Sequence, residues 1–178
     1  MMIEQQQQVE QKKLIYLQRV HQFFDDIKNW LKNEILYVEQ QKIEIMEKFV
    51  GTYTVPTLSI SSQTQEKLAD IIPAGANIMV GEGRIDIEGW FGTEYIVYMR
   101  QDGPLLLKNI VGQDKPVKRP MYKGIESDNW YWVDNTRRRK VSLMNKVLLL
   151  ELITMVSDYE FESSLIQFGE QINRPERV

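Results

Sequence analysis

The stretch LIYLQRVHQFFDDIKNWLKNEILYVEQQKIEIMEKF, Leu14 to Phe49, decides how the rest of the chain is read. It contains no glycine and no proline, and neither do the residues before it. Its apolar positions Leu14, Leu17, Val20, Phe24, Ile27, Leu31, Ile35 and Val38 recur every three or four residues, and Ile45 and Phe49 continue the row. That spacing places them on one face of a helix. The average step lies near the coiled-coil period, with Glu34 and Lys42 interrupting the seam. Tyr16, Phe23, Trp30 and Tyr37 add a second apolar row, which suits bundle packing better than a two-stranded seam. Asp25-Asp26 or Asn33 offer caps for a second helix if the rod breaks. With no breaker present, the reading is one continuous helix to Phe49.

Such a helix would run roughly 70 Å at 1.5 Å per residue. A compact chain of this length has a diameter of only about 40 Å. Residues 1–50 are therefore expected to form a helical oligomerisation arm, and residues 51–178 an α+β globular domain. The oligomerisation contacts expected are Leu17, Val20, Phe24, Ile27, Leu31, Ile35 and Val38, and a homo-oligomer is the expected state.

Beyond Gly51 the pattern changes to period two. Tyr53–Ile60 reads as an extended edge segment because of Pro56. Ser61–Ile72 reads as a short helix closed by Pro73. Asn77–Val80 and Arg84–Glu88 read as strands joined at Gly81-Glu82-Gly83. Thr93–Arg100 is apolar on both faces and reads as a central strand. Leu105–Val111 follows as a strand, and Lys115–Tyr122, with two prolines, as irregular or edge chain. Trp130–Val133 reads as a short aromatic strand. Ser142 is expected to cap a buried helix reaching about Tyr159, with a further short helix over Phe161–Phe168. The expected fold is α+β: a long N-terminal amphipathic helix, an antiparallel sheet of about five or six strands, and a buried C-terminal helix.

Composition narrows the chemistry. The chain has no cysteine and one histidine, His21, so nucleophilic triads, thiolate chemistry and multi-histidine metal sites are not expected. Gly81-x-Gly83 precedes no helix and is read as a turn, not a nucleotide fingerprint. No cofactor and no metal is expected. No apolar run approaches the roughly 20 residues of a membrane helix, and the N-terminus lacks a signal-peptide pattern. These features together predict a soluble cytoplasmic protein without membrane contact.

Net charge is −3 but unevenly spread. Residues 115–140 carry Lys115, Lys118, Arg119, Lys123, Arg137, Arg138, Arg139 and Lys140 against Glu126, Asp128 and Asp134, a local charge of +5. Such asymmetry points to an anionic partner, a nucleic acid or an acidic protein. The leading candidate site is Trp130, Trp132, Arg137, Arg138, Arg139 and Lys140. Its cations would precede the helix start at Ser142, where the dipole is also positive and an anion is welcome. Aromatic rings beside cations also suit single-stranded nucleic acid. A separate candidate is the acidic set Asp86, Glu88 and Glu94, which on neighbouring strands can hold Mg²⁺ for phosphodiester cleavage. The lysine such nucleases place two residues after the second acid is absent; Ile96 stands there.

Three functions follow, in this order. The first is a non-catalytic interaction module assembled through its N-terminal helices. The second is a polyanion-binding protein using residues 130–140. The third is a metal-dependent phosphodiesterase using Asp86, Glu88 and Glu94.

Overall fold

The computed structural model describes residues 2–101, 103–108, 116–134 and 139–161, with side chains from Gln6 onward. Helix α1 spans Met2–Leu31 and β1 spans Leu36–Glu47. The continuous helix to Phe49 is thus corrected: it stops eighteen residues early, and its expected second half is a strand. The break falls at Lys32–Ile35, where the Glu34 N–H bonds back to Leu31 O at 2.9 Å. Glu34 also pairs with Lys146 Nζ at 2.7 Å, which ties the turn to the far end of the chain.

Strand β1 pairs with β2 (Gly51–Ser62) over its whole length, from Leu36 opposite Ser62 to Glu47 opposite Gly51. A helix C-terminus at Gly51 is corrected too: at φ +90° it opens β2 at the hairpin turn. A left-handed glycine serves both ends equally, so it does not distinguish them. Strands β3 (Lys67–Gly75), β4 (Arg84–Gly89) and β5 (Gly92–Met99) continue an antiparallel meander. The helix expected over Ser61–Ile72 is corrected to a tight turn followed by β3, which is paired on both sides. Asn77–Val80 is loop, not strand. β6 (Leu105–Lys108) and β7 (Val117–Pro120) form a separate two-stranded sheet. β8 (Asn129–Val133) then returns to pair with β5, and β9 (Val141–Leu143) closes the edge. The main sheet has seven strands in the order β1-β2-β3-β4-β5-β8-β9, larger than the five or six expected. β5 is internal, as its two apolar faces predict.

Helix α2 (Lys146–Ser157) starts four residues after the expected Ser142 cap. Asn145 is the cap; its side chain accepts from Leu148 N at 3.0 Å. Ser142 lies in β9 instead, opposite Trp132. The expected helix over Phe161–Phe168 lies, after Phe161, outside the described residues.

Both helices pack on one face of the sheet. A single core cluster joins Tyr16, Val20, Phe24 and Ile27 of α1, Leu58, Ile71, Ile87 and Ile96 of the sheet, and Leu149, Leu152 and Ile153 of α2. α2 is buried on more than one side, as its composition predicts. The expected division at residue 50 falls at a hairpin turn, and one cluster spans both sides of it. Val20, Phe24, Ile27 and Leu31 are at most 3% exposed against the chain's own sheet, and Leu17 packs beside them. Ile35 lies in the turn and Val38 in β1, so neither continues a helical face. The stripe expected to join copies is therefore filled within one chain from Tyr16 to Leu31, while Leu14 and Ile15 before it remain exposed. No described helix is long and apolar enough to cross a membrane.

In the distal half of the β1–β2 hairpin the buried positions change phase. Leu58, Ile60 and Ser62 alternate as buried up to the Val55–Pro56 step, after which Val55 and Tyr53 take over. Here β2 has left β3 behind, and a two-stranded ribbon twists more strongly than a wide sheet. The end of the ribbon is anchored by Glu47, whose carboxylate accepts from Ala76 N at 2.9 Å, Asn77 N at 2.7 Å and the Tyr53 hydroxyl. Gly75 lies beside it at φ +151°, a backbone conformation that favours glycine.

Candidate functional site

β8 presents alternate residues to opposite faces of the sheet. Trp130 faces the helices, opposite Tyr98, and is 3% exposed. Its ring stacks on Phe23 at 5.4 Å and meets Tyr98 edge-on at 5.4 Å. Trp132 points the same way and is half-buried, and its Nε1 donates to Glu94 Oε2 at 2.7 Å. Both tryptophans are thus committed to the fold, and neither is an open stacking platform.

The opposite face of the same strands carries a smaller cluster, Val97, Met99, Tyr131 and Val141, with Ile78, Tyr122, Ile125 and Val133 around it. The Tyr131 hydroxyl donates to Ser127 O at 2.9 Å and accepts from the N–H groups of Glu126 and Ser127, each at 3.1 Å. That arrangement pins the loop leading into β8.

The basic residues collect beside this second cluster. Lys123 N donates to Arg139 O at 2.7 Å, and Val141 N donates to Lys123 O at 3.0 Å. This short parallel bridge sets Lys123 and Lys140 directly beside one another. Gly124 permits it, since it sits at φ +97° and a Cβ would come 2.6 Å from Val141 O. Arg139 adopts a left-handed φ of 68°, uncommon for a residue with a side chain. Its guanidinium donates to Met121 O at 3.0 Å and Pro120 O at 3.1 Å, holding the end of β7 against it. Lys118 and Arg119 of β7 are exposed. Among the described residues, Lys118, Arg119, Lys123 and Lys140 form no ion pair. Arg137 and Arg138 lie outside the described residues.

The expected site is therefore rearranged. Lys140 and Arg139 stay in it, with Arg139 partly occupied as a backbone clamp. Trp130 and Trp132 leave it. Lys123 joins through its bridge to Lys140, and Lys118 and Arg119 lie in β7, whose Pro120 end Arg139 holds; the charge excess over residues 115–140 was their only signal in the sequence. The helix-dipole argument is corrected as well, because β9 stands between the arginine run and the first turn of α2.

The acidic set does not assemble. Directly opposed residues of antiparallel strands share a face. Asp86 faces Tyr95 and Glu88 faces Thr93, whereas Glu94 is opposite Ile87 and belongs to the helix side. Asp86, 9% exposed, is held by Arg84 through Nε–Oδ1 at 2.6 Å and Nη2–Oδ2 at 2.8 Å. The hydrogen bond to Asp86 pushes the Arg84 pKa above its ordinary value, and the guanidinium also lies 4.2 Å from the Tyr95 ring centre. Among the described residues no three His, Asp or Glu side chains converge as metal ligands would.

A concavity, which the sequence did not suggest, lies between α1 and the start of β8. It is a groove of about 740 Å³ lined by residues including His21, Asp25, Asp26, Phe23, Asp128 and Trp130. Its wall is braced by Arg19, which stacks 3.8 Å from the Tyr98 ring centre and pairs with Glu82 at 2.9 Å. Glu82 in turn takes Arg100 at 2.5 Å. His21 is exposed on its rim, on the helix side away from the core. Comparison with protein-family models, with curated proteins and with solved structures yields no match for this chain.

Proposed function

We propose that the protein is a non-catalytic interaction module whose working surface is the basic face formed by Lys118, Arg119, Lys123, Arg139 and Lys140. Its partner is a polyanion, read through its phosphates. The observation that carries this reading is the bridge that puts Lys123 beside Lys140 on a chain whose net charge is negative. Like charges set opposite one another cost stability, and an arriving anion relieves that cost. Since both tryptophans are engaged in the fold, base stacking has no part in the binding, and duplex and single strand are expected to bind through backbone charge alone.

The test is fluorescence anisotropy with labelled duplex and single-stranded oligonucleotides across a salt series. If Lys118, Arg119, Lys123 and Lys140 each neutralise one phosphate, log K for duplex falls against log salt with a slope of about −3.6. Replacing Lys123 and Lys140 by glutamine is expected to flatten that slope by about 1.8 while leaving the fold intact. A folded protein that binds neither oligonucleotide at low salt overturns the nucleic-acid reading and leaves an acidic protein as partner. A phosphodiesterase reading has no observation in its favour, because Glu94 lies across the sheet from Asp86 and Glu88.

A further inference from the structure

The two edges of the main sheet are unequal. β9 offers three residues, whereas β1 offers twelve, Leu36–Glu47, all in unbroken register with β2. Among the described residues, the outward backbone groups of β1 from Tyr37 to Met46 have no hydrogen-bond partner; its one tie to α1 is the Lys28–Gln40 side-chain contact at 2.5 Å. Long free edges are templates for another strand, and proteins commonly blunt them with proline, a bulge or several lysines. β1 has no proline, no bulge and a single lysine, Lys42. It also exposes apolar side chains, with Tyr37 at 60%, Ile43 at 37% and Met46 at 82% exposed.

We propose that β1 pairs antiparallel with β1 of a second copy about a two-fold axis at Ile43, joining two seven-stranded sheets into one. The charge pattern of the strand selects the partner and the register. A two-fold axis perpendicular to the sheet must pass beside one residue, because opposed residues share a face. Centred on Ile43, Lys42 of each copy meets Glu44 of the other, and Ile43 meets itself. Gln41 falls opposite Ile45 and Gln40 opposite Met46. Glu39 falls opposite Glu47, whose carboxylate is already turned onto Ala76 and Asn77. Centring on Lys42 or Glu44 instead sets like charges against each other. Centring on Gln41 buries Glu44 against Val38 and Glu39 against Ile43. Only the Ile43 register pairs opposite charges on both sides of the axis. It also leaves the basic face free, since β8 and β9 stand at the other end of the strand order. Dimerisation and polyanion binding are therefore separable.

The chain has no cysteine, so Ile43→Cys in the full-length protein can form a disulfide only with a second copy. Residues opposed at the axis have Cβ atoms about 4.5–5.5 Å apart, close to disulfide geometry. Light scattering after size exclusion is expected to find a concentration-dependent species of twice 21.0 kDa. Mild oxidation is expected to trap Ile43→Cys as a covalent dimer. Lys42→Glu alone and Glu44→Lys alone are each expected to weaken dimerisation about tenfold or more, and the two together to restore it. Restoration by the double reversal supports the register even if Ile43→Cys folds poorly. A 21.0 kDa monomer at all concentrations overturns the proposal, as does a dimer that both single reversals leave intact.

Discussion

The two faces of the seven-stranded sheet are built on different principles. On the helix face, α1 and α2 close over a dense apolar layer in which Val20, Ile27, Leu58, Ile71, Ile87, Ile96 and Leu149 are fully buried. On the opposite face, among the described residues, the smaller cluster lies around Val97, Met99, Tyr131 and Val141, and loops, not helices, cover it. Those loops are held by discrete polar bonds: Tyr131 to the Glu126–Ser127 backbone, Arg139 to Met121 and Pro120, and Lys123 to Arg139 and Val141. Area drives the first face, and bonding geometry specifies the second. The difference teaches where to look for function. A face closed by packing has little left to offer a partner, whereas a loop layer held by backbone bonds keeps its charged side chains free.

The largest expected effect lies on the helix face. Phe24→Ala removes a ring that is 1% exposed and is expected to cost about 3–5 kcal/mol in denaturant unfolding. Because α1 packs on its own sheet, that loss should be the same at every protein concentration. A loss that grows on dilution would mean that α1 mates with another chain, and the contrast between the faces would collapse.

A smaller effect is expected on the loop face. Tyr131→Phe keeps the ring in its cluster but strips three hydrogen bonds from the Glu126–Ser127 turn. It should cost about 1–3 kcal/mol, chiefly from N–H groups left without an acceptor. Hydrogen exchange should quicken at Glu126 and Ser127 more than in β4. If the two regions quicken together, the loop layer is not a separate polar construction.

The third effect is nil at neutral pH and appears only in alkali. Tyr16 donates to Arg84 O at 2.7 Å and accepts from Gly75 N at 3.1 Å. Burial pushes its phenol above the ordinary value of 10.0, while the Gly75 N–H pulls back in part. Burial, and then the bond to Glu47, push Tyr53 up as well. A folded-state pKa raised above the unfolded one gives stability that is complete below the unfolded value and is lost as pH climbs toward the folded one. Unfolding free energy is therefore expected to hold level and then fall as pH rises above about 10, and Tyr53→Phe should make that fall shallower. A stability curve that stays flat in alkali would refute the burial of both phenols.

Much of the helix face was legible in the sequence. The spacing of Val20, Phe24, Ile27 and Leu31 identifies the buried side of α1, and the nearly all-apolar run from Val147 to Val156 marks α2 as enclosed. Local pattern was legible too, as in the strand over Arg84–Glu88. The candidate site was half legible. The charge excess over residues 115–140 was visible, but its assembly was not, since Lys123 and Lys140 meet only through a bridge across seventeen residues. The roles of Trp130 and Trp132 were hidden because an aromatic pair on a strand has the same spacing whether it faces core or solvent.

The sequence by itself determined that an amphipathic helix, an antiparallel sheet and a buried closing helix make up this chain, because those choices rest on periodicity and local turn chemistry. The tertiary structure decided where the first helix ends. Ile43-Glu44-Ile45-Met46-Glu47 satisfies a period of two as readily as one of three and a half, and nothing nearby breaks the tie. Pairing with the Thr- and Ser-rich β2 breaks it, by supplying twelve registered partners that a helix could not use. That decision moved the apolar stripe from a surface for other chains into the protein's own core. It also left β1, among the described residues, as an edge strand, because pairing is a relation between segments that no window of residues contains.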